Sequence, residues 1–181
     1  MAMTSTHEQS KPGLPAAHAG PQESLDFDAV FQEYWQRVCA VAYRLTGDPD
    51  ESQDLALETF LRLHQAPPEN MQNIGGWLYR VATRLGLNHL RARTRRWRYE
   101  SAAGSSAGAQ GLEDLLETSL EAQRVRAALG RMKPRSAEII LLRSAGLSYA
   151  EIAGALGIRP SSVGALLGRA EREFEQQYWQ D

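Results

Sequence analysis

The stretch LSYAEIAGALGIRPSSVGALLGRAERE, residues 147–173, has the pattern of two helices joined by a tight glycine turn. Ser148 and Glu151 form a capping-box pattern at the start of the first helix. Gly157 permits the left-handed turn, and Pro160 lies near the start of the second helix. This pattern is typical of a helix-turn-helix, whose second helix offers its N-terminal residues to the DNA major groove. An αα-hairpin that merely packs against its neighbours fits the same spacing.

The residues upstream of this unit predict two more helices. One continues to about Leu129 and opens on four leucines, Leu112, Leu115, Leu116 and Leu120. The other starts at Pro134, contains a run of large apolar residues at 139–142, and has Gly146 at the C′ position. Together with residues 147–173 they define a C-terminal helical domain over residues 112–181.

A linker is predicted over residues 99–111, YESAAGSSAGAQG. The segment is rich in Gly, Ser and Ala and nearly uncharged, which is typical of flexible connections, and a flexible chain of this length spans roughly 20 Å. It follows a second helical domain over residues 24–98. Residues 1–23 show no hydrophobic periodicity and are predicted to be a disordered tail.

The N-terminal domain opens on two amphipathic helices. Apolar residues recur every three or four positions from Phe27 to Leu45, and Gly47 ends this first helix. The second begins at residues 48–51, DPDE, a capping-box-like start, and runs to about His64. No segment alternates with period two. The predicted fold class is therefore all-α, with two small helical domains joined by a flexible linker.

A third helix, predicted from about Trp77 to Trp97, has two opposite faces. One face is apolar. The other is a narrow stripe, here called the cationic stripe, made of Arg80, Arg84, Asn88, Arg91, Arg95 and Arg98. Residues 71–99 hold 7 arginines and no acidic residue, whereas residues 1–70 hold 4 basic and 11 acidic side chains. This segregation indicates an anionic partner such as nucleic acid for the third helix.

Aromatic residues near the cationic stripe offer stacking surfaces for unpaired bases: Trp77, Tyr79, Trp97 and Tyr99. A solvated basic face, with Trp77 in the core, is the alternative interpretation. The second helix differs, since it combines acidic residues with leucines and suits a protein partner. An ordinary amphipathic core helix fits that pattern equally well.

Composition excludes several classes of protein. The chain has 181 residues, a mass of 20.1 kDa and a net charge of −2. It has no apolar run of the ~18–20 residues that span a bilayer, and its start lacks the apolar segment of a secretory signal. The single cysteine, Cys39, and four scattered histidines form no zinc or catalytic motif. A cytoplasmic protein without enzymatic activity or cofactor is expected.

Three segments, in this order, resemble bacterial RNA polymerase sigma factors of the sigma-70 family, in the small extracytoplasmic-function (ECF) group. LTGDPDESQDLALETFLRLHQA, residues 45–66, resembles regions 2.1–2.2, which bind the coiled coil of the largest polymerase subunits. GGWLYRVATRLGLNHLRARTRR, residues 75–96, resembles regions 2.3–2.4, which open and read the −10 promoter element. Residues 132–173 resemble region 4, which reads the −35 element and sits on the polymerase flap.

The resemblance implies roles for particular residues. Contacts to core polymerase are implied for Asp54, Leu55, Glu58, Phe60 and Leu61. Contacts to −10 DNA are implied for Trp77, Arg80, Arg84, Asn88, His89, Arg91 and Arg95. Contacts to −35 DNA are implied for Ser148, Tyr149, Arg159, Ser161, Ser162 and Arg169. The partners implied are core RNA polymerase, promoter DNA and an anti-sigma factor.

The sequence also departs from the family pattern. Leu57 stands where a polar residue is usual, and Arg84 stands where many members have asparagine. The second helix of the helix-turn-helix has Gly164, Leu166 and Gly168 in place of basic or polar residues, and each glycine weakens a helix by ~1 kcal/mol relative to alanine. We therefore expect −35 binding to be weak or unusual in specificity.

Three other functions are compatible with the sequence. A stand-alone helix-turn-helix regulator accounts for residues 134–177 but leaves the acidic helix and the cationic stripe without a role. A sigma-like protein that binds polymerase but no longer reads promoters through region 4 accounts for the glycine-rich helix. A plain helical interaction module is a third and weaker alternative.

Overall fold

The computed structural model describes residues 25–102 and 120–180 of the chain. Within those two ranges every regular element is helical and no strand occurs, so the all-α prediction is confirmed. The elements are α1 (Phe27–Thr46), α2 (Pro49–Gln65), a short 3₁₀ turn (Met71–Asn73), α3 (Ile74–Ala102), α4 (Leu120–Arg131), α5 (Pro134–Ser144), α6 (Tyr149–Leu156) and α7 (Pro160–Tyr178).

Helices α1, α2 and α3 form a three-helix unit around an apolar core. The predicted apolar face of α1 is buried, because Val38 and Leu45 are inaccessible to solvent. Phe60 of α2 packs against α1, with its ring centroid 4.8 Å from that of Phe31. Gly86 lets α3 approach α1 closely, since a Cβ at that position would lie 2.5 Å from Leu45 Cδ1. These contacts fix the orientation of α3.

The start of α2 follows the predicted capping pattern. Asp48 is the N-cap, and its Oδ1 accepts a hydrogen bond from the Glu51 backbone N–H at 2.8 Å. Pro49 occupies the first helical position. The Glu51 side chain turns toward α3, where its Oε2 lies 3.1 Å from His89 Nε2 and 3.8 Å from Arg93 Nη1. The cap therefore also ties α2 to the third helix.

Helix α3 begins earlier than predicted, at Ile74. Gly75 and Gly76 were expected to precede the helix, but they lie in its first turn. A Cβ on Gly75 would lie 2.6 Å from the Tyr34 ring, and one on Gly76 would overlap the Asn73 amide. The two glycines are thus explained by close neighbours within the helix and not by a helix break.

The C-terminal end of α3 also corrects the sequence prediction. The helix continues to Ala102, so the predicted start of the linker at residue 99 is wrong. Residues 99–102, YESA, contain neither glycine nor proline, and nothing in them ends a helix. The predicted linker residues 103–111, the first three leucines of the next predicted helix and the tail at 1–23 lie outside the described residues.

Helices α6 and α7 form the helix-turn-helix that residues 147–173 predict. The capping box is complete, since Ser148 Oγ accepts from the Glu151 N–H at 3.3 Å and Glu151 Oε2 accepts from the Ser148 N–H at 2.8 Å. Gly157 makes the turn with φ 64°, and Gly146 ends α5 with φ 90°. Val163 of α7 is buried between the helices.

The two units pack against each other through α3, which contacts α4, α5 and α6. The buried apolar residues form one cluster that runs through both units. The sequence did not predict this packing. The segment between the two units has the composition of a flexible linker, and such a linker does not fix how the units pack.

Replacing Ser148 with alanine should destabilise the protein by about 1 kcal/mol, because the first turn of α6 loses its acceptor. The hydrogen bonds from Ser148 lower the pKa of Glu151. Their contribution is therefore present at neutral pH and is lost as the pH falls through the folded-state pKa of Glu151. Urea unfolding at pH about 7 and about 3 checks both effects.

The exposed Ser161, replaced with alanine, serves as the control, with an expected change below about 0.5 kcal/mol. An equal loss for both variants would show that the capping box does not stabilise α6.

Candidate nucleic-acid interface

Helix α2 presents an exposed face that is both acidic and apolar, here called the α2 surface: Asp54, Leu57, Glu58 and Leu61. Leu57 and Leu61 are 50% and 48% exposed and lie one helical turn apart, so they form a small apolar patch on the surface. Glu58 forms an ion pair with Arg62 of the same helix at 2.6 Å. Apolar side chains beside charges are typical of a protein-binding surface.

Two residues predicted to contact a partner through α2 lie deeper. Leu55 is half-buried, and Phe60 is only 1% exposed beneath the α2 surface. The Phe60 ring packs 6.0 Å from the Trp35 ring of α1. Phe60 therefore supports the surface from inside the core, and its ring is not available to a partner in this structure.

The cationic stripe of α3 faces the C-terminal unit over its first turns. Arg80 Nη1 donates to the carbonyl oxygen of Ala155 in α6 at 2.7 Å. Arg84 Nε donates to Glu138 Oε1 in α5 at 2.7 Å. Burial, together with the neighbouring Arg84, lowers the pKa of Arg80. Both guanidinium groups are thus held by the C-terminal unit.

Further along the stripe, Arg91 is held in the same way. Its Nη2 donates to the carbonyl oxygen of Met132 at 3.1 Å, and its Nε donates to that of Gly130 at 3.4 Å. Asn88 and Arg95 are exposed. Among its described side chains, the stripe therefore has three arginines bound to the C-terminal unit and two residues, Asn88 and Arg95, that face solvent.

The aromatic residues near the stripe have different exposures. Trp77 is half-buried against the apolar core, and Tyr79 is buried. Tyr99 is exposed, whereas the side chains of Trp97 and Arg98 lie outside the described part of the structure. Of the four aromatics, only Tyr99 is described with a freely exposed ring.

The residues predicted for DNA contact in the C-terminal unit lie together on α6, the turn and α7, and are here called the helix-turn-helix surface: Ser148, Tyr149, Arg159, Ser161, Ser162 and Arg169. All are exposed except Ser162, which is half-buried. Arg143 adds a cation that the sequence did not single out, with its guanidinium carbon 5.7 Å from the centroid of the Tyr149 ring. The surface is polar and cationic.

The glycine-rich part of α7 adds little to this surface. Leu166 is half-buried and packs against the core. Gly164 is exposed, and a Cβ there would lie 3.6 Å from the Tyr149 ring. Between Ser162 and Arg169, α7 therefore offers few side-chain atoms to a DNA groove.

Two charged residues that the sequence did not single out lie between the units. Glu138 is buried and accepts from Arg84. Arg126 of α4 is buried against Gly47, where a Cβ would lie 2.8 Å from the Arg126 Cζ. In the sequence, each of these residues is recognisable only as a charged residue at an otherwise apolar position of its helix. That pattern does not indicate which residue it pairs with.

Other kinds of site find no support in the described residues. Residues 25–102 and 120–180 contain no group of histidine, cysteine or carboxylate side chains that could hold a metal ion. Among the described helices, none combines the length and the apolar character that crossing a bilayer requires.

Comparison with known proteins agrees with this geometry. Residues 30–96 match the family model of sigma-70 region 2, and residues 122–174 match that of sigma-70 region 4. An ECF RNA polymerase sigma factor, SigE of Mycolicibacterium smegmatis, is 30% identical over 163 residues, which cover 86% of this chain and 63% of that protein. The chain belongs to the sigma-70 family, in its ECF group.

Further relatives and solved structures resemble this chain over most of its length. The RNA polymerase sigma factor YlaC of Bacillus subtilis is 26% identical over 81% of this chain and 88% of its own length. The sigma factor RpoE from Bartonella quintana, solved with the anti-sigma factor NepR, matches the fold with a TM-score of 0.52 at 20% identity, over 86% of this chain and 98% of that one. CnrH, solved with the cytosolic domain of CnrY, also gives 0.52, at 21% identity over 83% and 85% of the two chains.

The chain covers only part of several curated relatives. It spans 63% of SigE and 50% of the Mycobacterium tuberculosis protein SigI. Helices α1 to α3 correspond to region 2 of the family, and α4 to α7 correspond to region 4. The α2 surface and the cationic stripe therefore both belong to region 2, and the helix-turn-helix surface belongs to region 4.

The opposite burial of Phe60 and Leu57 should appear in stability. Truncating Phe60 to alanine should lower the free energy of unfolding by about 3–5 kcal/mol, because it opens a cavity among aromatic rings. Replacing Leu57 with alanine should change it by less than about 1 kcal/mol, because half of that side chain is already in water.

Urea denaturation of the two variants beside the unmodified chain provides the measurement. A large loss for Leu57 and a small one for Phe60 would contradict the assignment of the outer and inner faces of α2.

Proposed function

We propose that this protein is a sigma factor that binds core RNA polymerase and directs promoter-specific initiation of transcription. The observation that carries the proposal is the presence of regions 2 and 4 in family order, each with an exposed surface of fitting chemistry. Region 2 offers an acidic and apolar face, and region 4 offers a polar, cationic helix-turn-helix. A stand-alone DNA-binding regulator would leave the first of these without a role.

In this proposal, core polymerase binds the α2 surface. Leu57 and Leu61 supply apolar contact area, while Asp54 and Glu58 match basic groups on the partner. Phe60 holds the helix from beneath, and Leu55 packs at its edge. The interaction therefore depends on a few half-exposed leucines framed by charge.

The −10 element is assigned to α3. Arginines spaced along one helix face can contact successive phosphates, and an exposed aromatic such as Tyr99 can stack on an unpaired base. Arg80, Arg84 and Arg91 donate to region 4 in this structure, and in the proposal they exchange those acceptors for DNA phosphates. Asn88, His89 and Arg95 lie on or beside the same face. Trp77 supports this face from the core. We infer that region 2 holds the melted strand by charge and stacking.

The −35 element is assigned to the helix-turn-helix surface. Arg159 is the N-cap of α7 and Arg169 lies about three turns further on, so both can reach DNA phosphates. The hydroxyl groups of Ser161 and Ser162 and the ring of Tyr149 lie near the start of the same helix. Contacts to phosphates carry little sequence information, so we expect weak base discrimination by region 4.

In this proposal, the protein acts in the cytoplasm as a regulator without enzymatic activity, since sigma factors are generally non-enzymatic and the polymerase performs the chemistry. An anti-sigma factor is a proposed partner, because the two structural neighbours were solved with an anti-sigma factor or a partner domain. No cofactor is required.

A second function has one observation in its favour. Gly164 and Gly168 leave α7 poor in side chains, and Leu166 turns into the core. A helix with so few exposed side chains is expected in a sigma-like protein that binds polymerase through α2 without reading a −35 element.

Polymerase binding tests the α2 surface directly. Replacing both Leu61 and Glu58 with alanine should weaken binding to purified core polymerase by about tenfold or more, because apolar area and a charge are lost together. Glu33, which is exposed on α1, provides a matched acidic-to-alanine control that should bind normally. Equal affinities for all three proteins would place the polymerase contact elsewhere.

Promoter binding tests the helix-turn-helix surface. Alanine at Arg159 and Arg169 should weaken binding to −35 DNA of every sequence and reduce the slope of log K against log salt by about 2, since each phosphate contact contributes about 0.9. Mobility-shift titrations of the polymerase complex at several salt concentrations provide the slope. If neither substitution changes promoter binding, the second function is favoured.

A further inference from the structure

A groove of about 460 Å³ lies between α1 and the start of α2, and is here called the α1–α2 groove. Its lining includes two aromatic side chains, Trp35 and Tyr43, and the ring of Pro49. Tyr43 is 47% exposed and Trp35 is half-buried. Cys39 also lines the groove, and burial raises the pKa of its thiol, so the thiol is uncharged at neutral pH.

The lining of this groove selects a particular kind of ligand. None of the described side chains that line it carries a charge, whereas the α2 surface and the cationic stripe of the same region are charged. Gln36 and Gln53 are exposed and supply amide donors. Aromatic rings beside such donors bind polyproline II segments, because these segments are preformed and leave their backbone carbonyl groups unpaired. An uncharged, proline-containing segment therefore fits this groove.

The chain itself contains a segment of this chemistry. Residues 12–15 are PGLP, and Lys11 directly precedes them. A polyproline II helix has three residues per turn, so Pro12 and Pro15 lie on one face of it. Such a segment needs no helical or strand periodicity, which agrees with the pattern of residues 1–23. These residues lie outside the described structure, so the motif is a feature of the sequence.

The motif lies close enough along the chain to reach the groove. Residues 16–26 join it to α1 and span up to about 35–40 Å when extended. Trp35 and Tyr43 lie about 12 and 24 Å along α1 from Phe27, at 1.5 Å per residue. A short flexible connection holds a motif near its site at an effective concentration in the millimolar range. Even a weak motif would therefore occupy the groove.

The direction of the chain also places opposite charges together. A segment that folds back from the start of α1 runs antiparallel to that helix, so Lys11 comes to the end of the groove at Pro49. Asp50 and Asp54 lie on α2 at this end, and both are exposed. The basic residue beside the motif thus meets carboxylates, while the uncharged residues meet the uncharged lining.

We propose that residues 11–15 of this chain bind the α1–α2 groove as a polyproline II segment, with Pro12 and Pro15 against its aromatic rings and Lys11 beside Asp50. The groove adjoins the α2 surface, because Gln53 lies one helical turn before Leu57. The proposal involves neither polymerase nor DNA, so its tests are independent of the proposed function.

Cys39 is the single cysteine of the chain and reports on the groove directly. A bound segment shields the thiol, so Pro12→Ala combined with Pro15→Ala should speed its reaction with N-ethylmaleimide about 3- to 10-fold. This range is expected for a motif with a Kd of about 0.1–0.5 mM at an effective concentration of about 1 mM. Mass spectrometry of the full chain at neutral pH follows the reaction.

Pro21→Ala provides the matched control, since it makes the same change in the same tail outside the motif. Its Cys39 should react at the rate of the unmodified chain. Equal rates for the unmodified chain, the double variant and the control would overturn the proposal.

A groove variant tests where the motif binds. Tyr43→Ala removes one aromatic ring from the lining, and Tyr43 is half-exposed, so the helix should keep its packing. In that background, the chains with and without the two prolines should react at nearly equal rates, because the motif has lost its stacking surface. A proline effect that persists in full would place the motif elsewhere on the protein.

A disulfide distinguishes the possible occupants. Leu14→Cys introduces a thiol inside the motif, and under mild oxidation it should join Cys39 of the same chain faster than the thiol of Ala19→Cys does. Equal rates at the two positions would show tethering alone and overturn the bound motif. Joining between two chains, seen as a covalent dimer that reduction separates, would assign the groove to the tail of a second copy and overturn binding within one chain.

Discussion

Seven arginines without a single acid over residues 71–99 set the main constraint on this protein. These guanidinium groups cannot neutralise one another along α3, so each must take an acceptor from another element, from solvent or from a bound partner. In the structure, Arg93 donates to the Thr46 carbonyl oxygen and lies near Glu51, while Arg80, Arg84 and Arg91 reach region 4. The packing of the two regions follows from where these donors find partners.

Local features were predicted well because neighbouring residues determine them. The N-caps at Asp48 and Ser148 and the glycine turn at Gly157 follow from side-chain chemistry within one helical turn. The sequence predicts that Gly75 and Gly76 precede α3, because it does not show that the Tyr34 ring and the Asn73 amide lie against them inside the helix. The Gly, Ser and Ala content of residues 99–111 predicts a linker from residue 99, but residues 99–102 contain no helix breaker and α3 continues through them.

The packing of region 4 against α3 could not be predicted for a different reason. Arg80 and Ala155 are 75 residues apart, and Arg84 and Glu138 are 54 residues apart, so no local pattern pairs them. Charge and spacing predict the candidate surfaces, but they do not predict which residues of those surfaces are buried. Phe60 lies on the helix predicted to bind a partner, but on its buried face. Leu166 lies on the predicted second helix of the helix-turn-helix, but its side chain packs against the core. A helical pattern identifies a face more reliably than it identifies which residues at its edge reach solvent.

The central claim is that the chain confers promoter specificity on core RNA polymerase, and run-off transcription tests it most directly. Purified core polymerase is incubated with genomic DNA fragments, with and without the protein, and transcript ends are mapped. The account predicts discrete transcripts that appear only with the protein and start at defined sites. The same transcripts from core polymerase alone, or none although the protein is bound, would contradict it.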